Sequence, residues 1–240
     1  MRKIAIRSAA SLAAIATLFA SSSAFARKTP AGMGTEGSLT VSADRLFGFM
    51  IESTKSEQTV NNVKVESTDS NTRISLVNPA LGARLGLDYT VIPNLTIGAA
   101  VGLGFGSSSS KTKTNGSEVS TDGPSTMILL VAPRVGYLID FTDNLGIWPR
   151  GGVTYERLSA TTKAQGNNPE STFTSSQLSA TVDVPLVIAP ADHFAFTVGP
   201  FVDFPLTASS KVEAGGQTIE PDNAPKTTRF GLGAGILGSF

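Results

Sequence analysis

Glu52, Arg84, Asp88, Arg134, Asp140, Arg150, Glu156, Asp183, Asp203 and Arg229 fall on one parity of segments that alternate apolar and non-apolar residues. Carboxylates and guanidiniums sharing one face can do two kinds of chemistry. They can pair with each other into a salt-bridge plug, or they can line a narrow, gated path for ions. Lone charges in a dry interior are very costly, so pairing is the ordinary outcome. Trp148, the single tryptophan, lies on the same parity and is expected to stack against the arginines, not to serve a sugar or a cofactor. His193, the single histidine, falls in a predicted turn and reads as a solvated turn residue. No metal-ligand cluster, nucleophile elbow or phosphate loop stands out, so no cofactor is expected. Gly231-Leu232-Gly233-Ala234-Gly235 resembles a glycine-rich loop, but it lies inside a strand with no helix after it.

Eight strand candidates position these residues. The first, near 40–54, sets Phe47, Phe49 and Ile51 against Gly48, Met50 and Glu52. The second, near 73–90, sets Leu85, Leu87 and Tyr89 against Arg84, Gly86 and Asp88. The third, near 95–106, alternates from Leu95 to Phe105 with Thr96, Gly98, Ala100, Gly102 and Gly104 opposite. The fourth, near 126–140, carries Arg134, and the fifth, near 145–157, carries Trp148, Arg150 and Glu156. The sixth and seventh, near 174–189 and 194–206, carry Asp183 and Asp203, and the eighth runs near 227–240. A soluble sheet buries its apolar face in a core. Here the opposite face carries the charges, which fits a closed barrel with lipid outside and polar groups inside.

The connections alternate in length. Val91-Ile92-Pro93-Asn94, Phe141-Thr142-Asp143-Asn144 and Pro190-Ala191-Asp192-His193 are tight turns. Polar segments near 55–72, 107–125, 158–173 and 207–226 read as long loops. Short turns on one side and long loops on the other are a mark of outer-membrane barrels, whose termini lie with the short turns in the periplasm. At ~3.3 Å per residue and a tilt near 40°, roughly ten residues cross a ~25 Å apolar band. Counting from the short turns puts Arg84, Arg134, Arg150 and Asp183 at mid-barrel and Asp88 lower. The same count puts Glu52, Glu156, Asp203 and Arg229 near the far mouth. Tyr89, Tyr137 and Tyr155 point outward close to the expected interfaces. Pro133, Pro149, Pro185 and Pro200 interrupt strands, where a missing ladder donor predicts local bulges.

Residues 1–26 read as an export signal: basic Arg2, Lys3 and Arg7, a short apolar run, then Ala24-Phe25-Ala26. Residues 27–37 read as a short flexible periplasmic arm, and 38–240 as the barrel. Without the leader the chain holds 16 Lys+Arg against 19 Asp+Glu, a net of −3, which argues against a nucleic-acid partner. The absence of cysteine excludes disulfides and thiolate metal sites.

The dyad repeat, the turn asymmetry and a last strand ending in Phe240 resemble the small eight-stranded outer-membrane proteins of the OmpA-transmembrane-domain and OmpX-like group. That resemblance implies an all-β, eight-stranded antiparallel up-and-down transmembrane β-barrel in the outer membrane of a Gram-negative cell. It implies that Leu232, Ala234, Ile236 and Phe240 form the signal read by the barrel-insertion machinery, with Gly238 a departure from the pattern. The partners it implies are outer-membrane lipid and lipopolysaccharide, that machinery, periplasmic chaperones and an unidentified surface ligand. Lipid A-modifying barrels need a histidine at the outer mouth, where none is expected here. A non-enzymatic structural or surface-contact role is therefore the first reading and a narrow porin-like channel the second. A lipid-modifying enzyme and a soluble lipocalin-like barrel follow.

Overall fold

The computed structural model describes residues 32–60, 63–76, 83–114, 117–164, 169–221 and 223–240. The expected leader lies outside these residues. Thirteen strands form one antiparallel sheet: β1 Leu39–Val60, β2 Val63–Leu76, β3 Arg84–Ile92, β4 Leu95–Thr114, β5 Ser117–Tyr137, β6 Ile139–Thr142, β7 Leu145–Ile147, β8 Arg150–Thr162, β9 Ser171–Asp183, β10 Leu186–Ala191, β11 Phe194–Ala214, β12 Gln217–Ile219 and β13 Lys226–Ser239. The sheet closes because β13 pairs with β1 on one side (Thr40 with Ser239, Phe49 with Leu232) and with β11 on the other (Phe196 with Ile236, Asp203 with Arg229). Counting β2 with β3, β5 with β6, β7 with β8 and β9 with β10 as interrupted staves gives an eight-stranded antiparallel barrel, with β12 a short hairpin on β11.

The interruptions have local causes. Pro149 and Pro185 stand in the gaps between β7 and β8 and between β9 and β10, where their missing N–H groups cost the ladder nothing. The break between β5 and β6 falls at Leu138, whose N–H donates to the Asn94 carbonyl of the neighbouring turn. Pro133 and Pro200 depart from expectation. Both lie inside continuous strands with no register shift beside them, so neither makes a bulge.

The polar segments expected as loops are largely strand. β1 and β2 continue to a hairpin at Val60 and Val63, and β4 and β5 pair up to Thr114 and Ser117. β8 and β9 pair up to Thr162 and Ser171, and β11 turns into β12 through Gly215 and Gly216, both at positive φ. Serine and threonine are the commonest residues of these stretches, and threonine suits a pleated ribbon. Thr161 and Thr172 bond across strands through their hydroxyls at 3.1 Å. The barrel wall thus rises well past the span that an apolar band requires.

The expected flexible arm is also corrected in its described part. Residues 32–37 fold against the short-turn end. Met33 is fully buried there with Leu138, Trp148, Val187, Ala189, Ala195 and Leu237. The Asn94 N–H donates to the Gly34 carbonyl, and the Gly37 N–H to that of Thr90. An apolar Met among glycines can enter a hole that a bulkier segment could not.

Candidate functional site

The barrel interior gathers the charged residues into a lattice. Alternation along each strand points Ser42, Asp44, Arg84, Asp88, Arg134, Arg150, Thr154, Thr181, Asp183 and Asp203 inward, and all are buried. Arg134 grips Asp88 with both edges of its guanidinium, Nε to Oδ1 at 2.9 Å and Nη2 to Oδ2 at 2.5 Å. Its Nη1 donates to Asp44 Oδ2 at 2.6 Å. Arg150 donates from Nε to Asp183 at 2.5 Å and from Nη1 to both oxygens of Asp44 at 3.1 and 3.2 Å. Arg45 holds Asp203 in a two-point fork at 2.8 and 3.2 Å. Arg84 approaches Asp203 at 3.5 Å and donates to Thr154 Oγ1 at 3.2 Å. Four arginines therefore meet four aspartates in one connected network that is neutral as a whole.

Two members of that lattice are absent from the sequence-derived set: Asp44 and Arg45. They are neighbours in the chain, so simple alternation cannot place both inside. Asp44 keeps the inward parity of Ser42, and a bulge between Ala43 and Phe47, with Arg45 at φ 55°, turns Arg45 inward beside it. Asp44 is the hub, since it receives both Arg134 and Arg150 as well as the Ser42 hydroxyl at 3.1 Å. Asp203 stands beside Arg229 in the strand register, but its carboxylate belongs to the lattice, because the long side chains of Arg45 and Arg84 reach it and Thr181 Oγ1 donates to it at 2.8 Å.

The far-mouth group is a separate triad. Arg229 donates from Nε to Glu52 at 2.7 Å and from Nη1 and Nη2 to Glu156 at 2.7 and 2.9 Å. Between the triad and the lattice, Met50 packs on Phe201, and the Arg45 guanidinium lies 3.8 Å above the Phe201 ring centre. Below the lattice, Arg150 lies 4.4 Å over Trp148, whose indole N–H donates to Thr96 Oγ1 at 3.1 Å. Asp140 is half-buried beside the short turns and takes no part in the lattice.

Glycine makes the room. A Cβ on Gly86 would run into Arg134 Nη2 and Ser42 Oγ, and one on Gly136 would lie 2.5 Å from Trp148 Nε1 and 2.8 Å from Thr96 Oγ1. The voids left beside the lattice are small. One of about 20 Å³ adjoins Asp44, Arg45, Arg150 and Asp183, and one of about 10 Å³ adjoins Arg84, Arg134 and Thr154. Each has room for about one water at most.

His193 sits in the short turn before β11, at φ 64°. Its Nδ1 lies 2.7 Å from the Ser239 carbonyl and its ring stacks on Phe240 at 6.5 Å. It belongs to the joint between the last turn and the last strand. Among the described residues, no group of three or more His, Asp or Glu side chains is placed to hold a metal.

The outer face is the reverse of the inner one. Leu85, Leu87, Ile97, Leu103, Phe196, Val198, Val202, Phe204, Phe230 and Leu232 are exposed, Leu85 at 65% and Leu103 at 59%. Charged groups inside a closed ladder with a continuous apolar belt outside satisfy the backbone without water and offer lipid a matching surface. The chain is a transmembrane β-barrel. No family model matches it, and no curated protein does. Solved structures do. The outer membrane protein OprG from Pseudomonas aeruginosa is similar with a TM-score of 0.49 at 11% identity, over 89% of this chain and 99% of that one. Neisserial surface protein A gives 0.46 at 12%, over 85% and 100%. The outer membrane protease OmpT from Escherichia coli gives 0.44 at 9%, over 85% and 97%. These neighbours differ in role, and the fold of the present chain stands on its own closed ladder.

Proposed function

We propose that the protein is an integral outer-membrane barrel with no catalytic role, a sealed scaffold that holds its long hairpins beyond the membrane. The mutual saturation of the four arginines and four aspartates carries this reading. A carboxylate already held by guanidiniums is a poor general base, and a lumen filled by side chains is a poor path. The long hairpins would then be the surface that meets an external ligand, and the short turns and termini would face the periplasm. Phe230, Leu232 and Ile236 are exposed along β13, with Ala234 half-buried between them, and Phe240 is exposed just past its end. That is the surface an insertion machinery would read while periplasmic chaperones deliver the chain.

Planar-bilayer recording tests the sealed interior. The purified protein is expected to leave the bilayer electrically silent. A steady conductance that changes with Arg134→Ala would overturn the scaffold and favour the channel. Mass spectra of lipid A from cells with and without the protein are expected to be the same. A difference would favour an enzyme.

A further inference from the structure

The barrel wall reverses its polarity where the long hairpins begin. Every second residue of a strand falls on one face. Level with Met127 the outward row is Ser159, Thr174 and Lys211, and the next row out is Thr161, Thr172 and Glu213. The inward row between them is Ala160, Phe173, Val212 and Ile219. One step below it on the same inner face stand Ile128 and Leu158, with Ser175 and Ser210 beside them. Phe173 is 38% exposed and Ile219 62%. Water beyond the membrane accounts for the hydroxyls and charges outside. It does not account for an apolar inner wall at the same height, and a contiguous apolar patch left to water marks a binding surface.

The floor of this mouth is the triad in which Arg229 joins Glu52 to Glu156. The lattice fills the lumen beneath it, so the mouth is blind. The strand order sets the β1–β2 hairpin across from β8 and β9. Its inner face is polar: Thr54 stands beside Asp69 and Glu52 beside Asn71, with Asp69 and Asn71 exposed. On the β4 side, a Cβ on the inward-facing Gly106 would meet nothing nearer than Thr126 Cβ at 4.0 Å, which leaves room. Glu52, Asp69 and Glu156 share the mouth with Arg229, and the register sets Arg73 beside Met50 one step lower. Three acids against two bases leave the mouth negative, and a negative cleft gathers cations. An accessible aromatic ring such as that of Phe173 favours a quaternary ammonium in particular. We propose that this mouth binds a small amphipathic cation, its apolar body against Ile128, Leu158, Phe173, Val212 and Ile219 and its charge toward Glu156 and Asp69. The site gives a chemistry to the external ligand of the role proposed above, and rests on that role.

Failure of the sealed scaffold would show separately, as steady conductance in a bilayer. The test here is equilibrium dialysis of the whole protein in non-ionic micelles, with empty micelles as the blank. The probes are benzyltrimethylammonium, neutral benzyl alcohol and anionic benzenesulfonate. The parent is expected to bind the cation in preference to the other two. Phe173→Ser is expected to weaken that binding roughly tenfold, the effect of losing one large apolar contact. Asp69→Asn is expected to weaken it roughly threefold, the scale of one exposed ion pair. Phe105→Ser, a change on the outward face of the neighbouring wall, is expected to leave it unchanged. Equal binding of the three probes by the parent would overturn the proposal, and that result needs no variant to fold. Undiminished binding by Phe173→Ser or Asp69→Asn would overturn it too, and so would an equal loss in Phe105→Ser, which would move the contact to the outside. Binding of none of the probes would overturn it and leave the apolar wall to a larger partner.

Discussion

Asp44→Ala is expected to destabilise the folded barrel by about 3–5 kcal/mol, the usual consequence of removing one side of a buried ion pair. Arg134 and Arg150 would both lose a carboxylate, and neither is near water. Four guanidiniums would then share three aspartates, and the network would carry an unbalanced buried charge. Asp44→Asn keeps an oxygen acceptor for one arginine and is expected to cost less than the alanine. Urea unfolding in detergent micelles, followed by the mobility shift between folded and unfolded bands, measures both. An unchanged midpoint for Asp44→Ala would show that the lattice is hydrated and that its charges are individually satisfied by water.

Trp148→Ala is expected to cost a similar ~3–5 kcal/mol for a different reason. The indole is fully buried at the floor of the interior, in one apolar cluster with Met33, Leu138, Val187 and Leu237. Its removal leaves a cavity in a wall that cannot collapse, because the barrel's diameter is set by its ladder. It also strips Arg150 of its aromatic partner and leaves Thr96 Oγ1 without its donor. Trp148→Phe restores most of the volume and the ring face but not the N–H, and is expected to recover most of the loss. Circular dichroism against urea reads the comparison without relying on the tryptophan itself. Equal stability of Trp148→Ala and the parent would mean that the floor is loose and Met33 no stopper.

Much of this arrangement is legible in the chain because a β-strand has a period of two. The inward placement of Arg84, Arg134 and Arg150 and the outward placement of Leu103 and Phe230 need only parity. Asp44 obeys the same parity as Ser42 and Glu52, but Arg45 escapes it because a bulge adds residues to one strand and turns two successive side chains the same way. The signal available was the pair itself, Asp44-Arg45, set between Ser42 and the apolar run at Phe47. Residue counts set Asp203 level with Arg229, its register neighbour, but cannot show that it pairs with Arg45 and Arg84, because arginine side chains reach across levels. The hairpin extensions look like loops by composition, since hydroxyl-rich ribbons and hydroxyl-rich loops use the same residues. Only pairing with a partner strand separates them, and pairing is not local. Met33 in a glycine-rich arm was invisible for the opposite reason: a single apolar residue carries no periodicity.

The central claim is that the outward face of each strand lies in lipid while the ionised groups are enclosed. The chain has no cysteine, so single nitroxide labels can be placed cleanly. Val182→Cys and Leu103→Cys, both on the exposed outward face, would be labelled in protein reconstituted into bilayers. Collision with dissolved oxygen is then compared with collision with a water-soluble nickel chelate. Both labels are expected to meet oxygen freely and the chelate scarcely at all. Ready access of the chelate to both positions would contradict the account.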